Sequence, residues 1–94
     1  MNSKKKDKNK QQTKKAAALH YNHKNDRAPT IIAKGKGDIA KKILEKAKEK
    51  EIPIETNRDL AEVLVQLEIG EEIPPELYQV VAEILSFIYK LEKN

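Results

Sequence analysis

Hydrophobic residues recur three and four positions apart over most of the chain after residue 38, and this spacing predicts three amphipathic helices. Asp38 is a suitable N-cap for the first helix, and the sequence 56–59 is typical of a cap for the second. Gly70 is placed to end the second helix, and Pro74 or Pro75 to begin the third. The predicted apolar faces are Ile39, Ala40, Ile43, Leu44 and Ala47; Leu60, Ala61, Val63, Leu64 and Leu67; and Leu77, Val80, Val81, Ile84, Leu85, Ile88 and Leu91.

Shorter apolar segments before and between the helices predict β-strands. Residues 16–21 and 28–33 flank a polar turn, which is the pattern of a β-hairpin. Ile52–Glu55 predicts a third short strand with a proline near its start. The order β-β-α-β-α-α predicts an α+β fold of α/β-like character, in which a small mixed sheet of about three strands packs against three helices. A strand–helix–strand unit of this length is expected to cross over with right-handed chirality.

The N-terminal segment differs sharply from the rest of the chain. Residues 1–15 contain seven lysines, one aspartate and almost no apolar side chain, which predicts a disordered basic tail ahead of a domain at 16–94. The net charge of +4 combines +9 in residues 1–37 with −5 in residues 38–94. The tail therefore favours an alternative hypothesis, a nucleic-acid-binding accessory protein with weak, nonspecific affinity, although no aromatic residues are interleaved with the lysines.

The residue types present argue against metal, cofactor and catalytic chemistry. The chain has no cysteine, and His20 and His23 would point to opposite faces of a strand without a third ligand. Lys34–Gly37 is not a Walker motif, and Asp38 would occupy the helix end that a phosphate needs. No nucleophile and base are placed together. No apolar run is long enough to span a bilayer. We therefore expect a protein without enzymatic activity, cofactor or metal.

Two longer patterns resemble a known family. Residues 28–37, APTIIAKGKG, are similar to its strand-and-turn pattern A-P-x-(I/V)-(I/V)-A-K-G-x-G. Residues 68–85, EIGEEIPPELYQVVAEIL, are similar to its helix entry E-I-G-x-x-I-P-x-x-L-Y-x-x-V-A-x-(I/V)-L. Together with residues 52–53 and 57–61, they resemble the C-terminal cytoplasmic domain of the FlhB/YscU/SpaS flagellar and type III secretion export-switch family, over about residues 16–92.

The chain departs from this family at the self-cleavage motif, Asn-Pro-Thr-His. Its four positions correspond here to Gln11, Gln12, Thr13 and Lys14, of which only the threonine matches. In the family the asparagine side chain attacks its own carbonyl carbon to close a five-membered imide. A glutamine would have to close a six-membered ring, and no proline sets the turn. The resemblance thus implies a stand-alone counterpart of the cleaved C-terminal fragment, without autocleavage.

The resemblance also implies a docking site and partners. Its apolar pocket corresponds to Ala28, Pro29, Ala82 and Leu85, where an export signal would bind. The alternative is that Ala82 and Leu85 are core residues and Pro29 only begins a strand. The expected partners are export substrates, chaperones or export-gate membrane proteins. The expected state is a soluble cytoplasmic monomer, with membrane association through the export apparatus as a further option.

Overall fold

A computed structural model describes residues 13–93, with the side chain of Lys93 excepted, and this part of the chain forms an α+β fold. Two strands, β1 (Lys15–His20) and β2 (Thr30–Lys36), precede helix α1 (Asp38–Glu49) and helix α2 (Arg58–Leu64). A 3-10 turn (Pro75–Leu77) leads into helix α3 (Tyr78–Lys93). The predicted fold class and its three helices are confirmed. None of the helices in residues 13–93 has the length and apolarity that a bilayer crossing requires.

The two strands pair antiparallel, and a β-bulge interrupts their register. Ala18 lies opposite Ala33, but the next residue of β1, Leu19, lies opposite Ile31. The extra residue in β2 turns Ile31 and Lys34, three positions apart, toward the same side of the hairpin. Ile31 packs there with Leu64 of α2, and Lys34 bonds to backbone carbonyls that follow this helix. The bulge therefore lets β2 contact both α2 and the backbone that follows it.

The predicted third strand at Ile52–Glu55 is wrong. This segment is exposed and irregular, with Ile52 53% and Ile54 43% accessible. The N–H of Ile52 already donates to the carbonyl of Ala47 at the end of α1, and Pro53 has no N–H to offer. Within residues 13–93 the sheet contains two strands, so the predicted right-handed crossover is absent there.

The second edge of β2 is instead paired with residues 70–73. The N–H of Ile31 donates to the carbonyl of Glu71 (2.9 Å), and the N–H of Gly70 donates to the carbonyl of Ile31 (2.7 Å). The N–H of Ile73 donates to the carbonyl of Pro29 (2.9 Å). Gly70 has φ of +94°, a conformation that glycine adopts without strain. It therefore shapes the turn beside β2, whereas the prediction that it ends α2 is wrong, because that helix ends at Leu64.

Two of the three helix starts agree with the residues that were predicted to begin or cap them. Asn57 caps α2, since its Oδ1 accepts a hydrogen bond from the N–H of Leu60 (3.0 Å). Pro75 begins the 3-10 turn ahead of α3, where its missing N–H costs nothing. The predicted cap at Asp38 is wrong, because Asp38 is the first helical residue and Gly37, with φ of +58°, is the cap.

The core lies between β2, α2 and α3. Its buried members are Ala28, Ile31, Leu64, Ile73 and Val81. Helix α1 packs on the other face of the hairpin. The backbone of Gly35 lies so close to the side chain of Ile39 there that a Cβ would overlap it. Gly35 lies opposite Ala16, which is also buried, so two small residues admit this helix.

The first strand starts one residue before its predicted first residue, Ala16. Lys15 belongs to β1, and the carbonyl of Lys14 accepts a hydrogen bond from the N–H of Gly37 (2.8 Å). Most of the predicted disordered tail, including Gln11 and Gln12, lies outside the described residues.

Candidate functional site

An open groove with a volume of about 720 Å³ lies between helix α3 and the loop of the hairpin. The hairpin side ends in Ala28 and Pro29, both buried, at the entrance to β2. Its walls come from three parts of the chain that are distant in sequence, so only the folded domain forms it. The lining residues are Tyr21, His23, Arg27, Ala28, Pro29, Ile73, Tyr78, Val81, Ala82, Leu85, Ser86, Ile88, Tyr89 and Glu92.

The structure brings together the four residues that the resemblance singled out. Ala28, Pro29, Ala82 and Leu85 all line this groove. The carbonyl of Pro29 accepts the hydrogen bond from Ile73, which fixes the strand entrance against the segment that leads into α3. The hairpin wall is therefore held rigidly by backbone pairing.

The alternative that Ala82 and Leu85 are only core residues holds in part. Leu85 is half-buried and packs against the core cluster, so it contributes to folding as well as to the groove. Ala82 is exposed and is not a core residue. A small side chain at this exposed position leaves a depression in the surface of α3.

Sequence reasoning missed the aromatic residues of the groove. All three tyrosines of the chain, Tyr21, Tyr78 and Tyr89, line it. On α3 the residues Tyr78, Ala82, Leu85, Tyr89 and Glu92 follow at alternating steps of four and three, which places them along one helix face. That spacing was available in the sequence. The position of Tyr21 was not, because it depends on how the hairpin loop folds.

The charged groups of the groove lie at its periphery. Arg27 pairs with Glu72 (3.2 Å), yet its side chain remains 81% exposed. Glu72 precedes α3, whereas Glu92 lies near the end of that helix. Arg27 and Glu92 thus line the groove together with a mainly apolar set of side chains.

The described residues hold neither a metal cluster nor a linked nucleophile and base. No group of three or more His, Cys, Asp or Glu side chains in residues 13–93 is placed to bind an ion. His20 lies beside Asp26 (3.5 Å), whereas His23 lines the groove. Ser86 also lines the groove, but no hydrogen bond of the described part joins it to His23. The arrangement offers apolar surface for binding.

Two of the four positions of the degenerate cleavage motif lie in the part of the chain that the structure describes. Thr13 and Lys14 are exposed and directly precede β1. Lys14 is tied through its carbonyl to Gly37. Gln11 and Gln12 are outside the described residues, so the expected loss of autocleavage stays a prediction.

Comparison with other sequences identifies one group of relatives. The sequence model of the FlhB HrpN YscU SpaS Family matches residues 12–88. The protein YlqH of Bacillus subtilis is 47% identical over 81 residues, covering 86% of this chain and 87% of its own length. The flagellar biosynthetic protein FlhB of Aquifex aeolicus is 46% identical over 80 residues, covering 84% of this chain but only 23% of its own. The chain thus spans about a fifth of the length of the FlhB relatives, 20–23%, and most of YlqH.

Solved structures show the same fold. The crystal structure of the cytoplasmic domain of FlhB from Shewanella putrefaciens aligns with a TM-score of 0.79 and 35% identity, over 84% of this chain and 62% of that one. The crystal structure of the PscU C-terminal domain aligns with a TM-score of 0.74 and 25% identity, over 79% and 95% of the two chains.

Proposed function

Because this chain belongs to the FlhB, HrpN, YscU and SpaS family, we propose that it is a protein-binding module of the flagellar and type III export type, which docks polypeptide and leaves it unchanged. The observation that carries the proposal is the convergence of Ala28, Pro29, Ala82 and Leu85 on one groove. The strand entrance at Pro29 is hydrogen-bonded to Ile73, and the opposite wall is helix α3. Because these parts of the groove are already ordered, little conformational entropy is lost when a ligand binds. An apolar groove of this size suits a short peptide.

The proposed ligands are apolar segments of export substrates, chaperones or export-gate membrane proteins. Support comes from the solved structures that resemble this chain, which are the cytoplasmic domain of FlhB and the C-terminal domain of PscU. We propose that the chain acts as a monomer in the cytoplasm. We propose that any association with a membrane passes through the export apparatus.

The same proposal includes the absence of autocleavage. The residues directly before β1 are Thr13 and Lys14, and the preceding pair is Gln11 and Gln12 in place of asparagine and proline. The intact mass of the purified chain, 10.7 kDa, is expected to persist after days at neutral pH. Two fragments separated near Gln11 by mass spectrometry would contradict this part of the proposal.

Docking is tested by placing a charge inside the groove. Ala82→Glu puts a carboxylate where an apolar peptide side chain would lie, and an unpaired charge at a dry contact is costly. We expect affinity for a short apolar peptide to fall at least tenfold, about 1.4 kcal/mol. Gln79→Glu is the matched control, because Gln79 is exposed on the same helix but does not line this groove. Equal affinity in both variants, or no binding by the unmodified chain, would refute docking here.

The nucleic-acid hypothesis depends on lysines that lie mostly in residues 1–12, outside the described part, and it stays a prediction. A salt-sensitive gel shift that disappears when these residues are deleted would support it.

A further inference from the structure

Two tyrosines project from helix α3 on either side of the small residue Ala82. Tyr78 and Tyr89 are eleven residues apart on one face of α3, which separates them by about 16 Å along the helix axis. Ala82 and Leu85 lie between them on the same face, and Ala82 is the smallest residue of the four. Two aromatic ridges therefore flank a shallow depression. Tyr21 and Pro29 face them from the hairpin side.

The tyrosines also offer polar groups at the edge of an apolar surface. Tyr21 and Tyr78 are 39% and 40% exposed. Within residues 13–93 neither hydroxyl takes part in a hydrogen bond, so both can donate to a ligand carbonyl. Tyrosine is enriched at recognition sites for this combination of an apolar ring and a polar tip.

The backbone beside the groove is already paired. The carbonyl of Pro29 accepts from Ile73, and both backbone groups of Ile31 are bonded to residues 70–71. The opposite wall is helix α3, whose N–H and C=O groups bond within the helix beyond its first and last turns. Strand addition, which needs a free sheet edge, is therefore excluded at this site.

We propose that the groove takes a proline-containing segment in the polyproline II conformation. This inference rests on the proposed function and names its class of ligand. A polyproline II segment has no internal hydrogen bonds, and aromatic-lined grooves bind it through ring packing and side-chain donors to its carbonyls. At about 3.1 Å per residue, five residues reach from Tyr78 to Tyr89.

The charged residues that line the groove indicate which charges the ligand carries. Arg27 lines the groove from the hairpin side, and Glu92 lines it near the C-terminal end of α3. Arg27 keeps donors for a second acceptor, because a guanidinium carries five N–H groups and its present partner is Glu72. The complementary ligand carries an acidic residue over Arg27 and a basic residue over Glu92.

The test uses two synthetic peptides and four proteins. One fluorescent peptide has an acidic end, prolines at positions i and i+3 among apolar residues, and a lysine end; the other has alanine in place of each proline. The proteins are the full chain, Tyr78→Leu, Tyr89→Leu and Phe87→Leu. Phe87 is exposed on the same helix but does not line the groove. Anisotropy gives each affinity, and circular dichroism shows that each variant folds.

Five outcomes are possible, and each supports or overturns a proposal. We expect the proline peptide to bind the full chain about five- to tenfold more tightly than the alanine peptide, since each proline restricts the free ligand. Tyr78→Leu and Tyr89→Leu should reduce this preference, and Phe87→Leu should not. Equal binding of both peptides, tighter binding of the helix-forming alanine peptide, or an undiminished preference in the tyrosine variants would overturn the inference and leave the proposed function standing. Absence of binding by both, and by purely apolar peptides, would overturn both proposals.

Discussion

Replacing Lys34 with methionine removes one ammonium group from the junction between β2 and α2. The Nζ atom of Lys34 donates to the carbonyls of Val65 (3.2 Å) and Leu67 (2.6 Å), the first and third residues after the end of α2. Both bonds are charge-assisted, and the ammonium lies at the negative end of the helix. Methionine keeps most of the apolar stem, so the change isolates the polar contacts.

The expected cost follows from these two contacts. Hydrogen bonds to charged groups contribute about 1.5–3 kcal/mol each, and the two here share one donor group, so we expect a loss of about 2–3 kcal/mol in the free energy of unfolding. A domain of this size is stable by roughly 4–12 kcal/mol in total. The loss would lower the melting temperature by about 10–20 °C.

Urea unfolding followed by circular dichroism measures this difference. Lys36→Met is the matched control, because Lys36 belongs to the same strand and is exposed to solvent. We expect the control to change stability by less than about 0.5 kcal/mol. If Lys34→Met costs no more than Lys36→Met, the contact between Lys34 and the end of α2 does not stabilise the fold.

Two further changes test the packing and the capping of the domain, and both use the same urea assay. Ile73→Ala should destabilise the domain by about 2–5 kcal/mol, because Ile73 is buried in the core. Ile69→Ala, at an exposed isoleucine, should have little effect. Similar losses at both sites would contradict the described core. Asn57→Ala should cost about 0.5–2 kcal/mol, because the side-chain oxygen that accepts from the N–H of Leu60 is lost. Asn57→Asp keeps an oxygen there and should retain most of the stability. An equal loss in both variants would show that this oxygen does not stabilise α2.

The helices and the hairpin were predictable from local pattern, and the details that failed depend on distant partners. Ile52, Pro53 and Ile54 have the composition of a strand, but a strand needs a neighbour, and the end of α1 uses the one N–H that Ile52 offers. The segment that does pair with β2, residues 70–73, carries no strand pattern. Leu91 continues the apolar repeat of α3 although it is 59% exposed, because helical periodicity does not show where the core beneath it ends.

The candidate site was predictable only in part. Ala28, Pro29, Ala82 and Leu85 came from the resemblance, because nothing in their composition or spacing places a strand entrance beside a helix about fifty residues later. The sequence placed Lys34 in a turn that is not a phosphate loop, but it gave no sign that its ammonium binds the backbone after α2. Its role requires the β-bulge, and a bulge of this kind leaves no mark in the alternation of residues.

Amide chemical shifts of the labelled chain, followed by NMR during titration with a short apolar peptide, test the central claim most directly. Docking predicts saturable shifts at Ala28, Ala82 and Leu85, with α1 on the opposite face of the hairpin unaffected. Shifts confined to α1, or none at millimolar peptide in any described residue, would show that this groove does not recognise polypeptide.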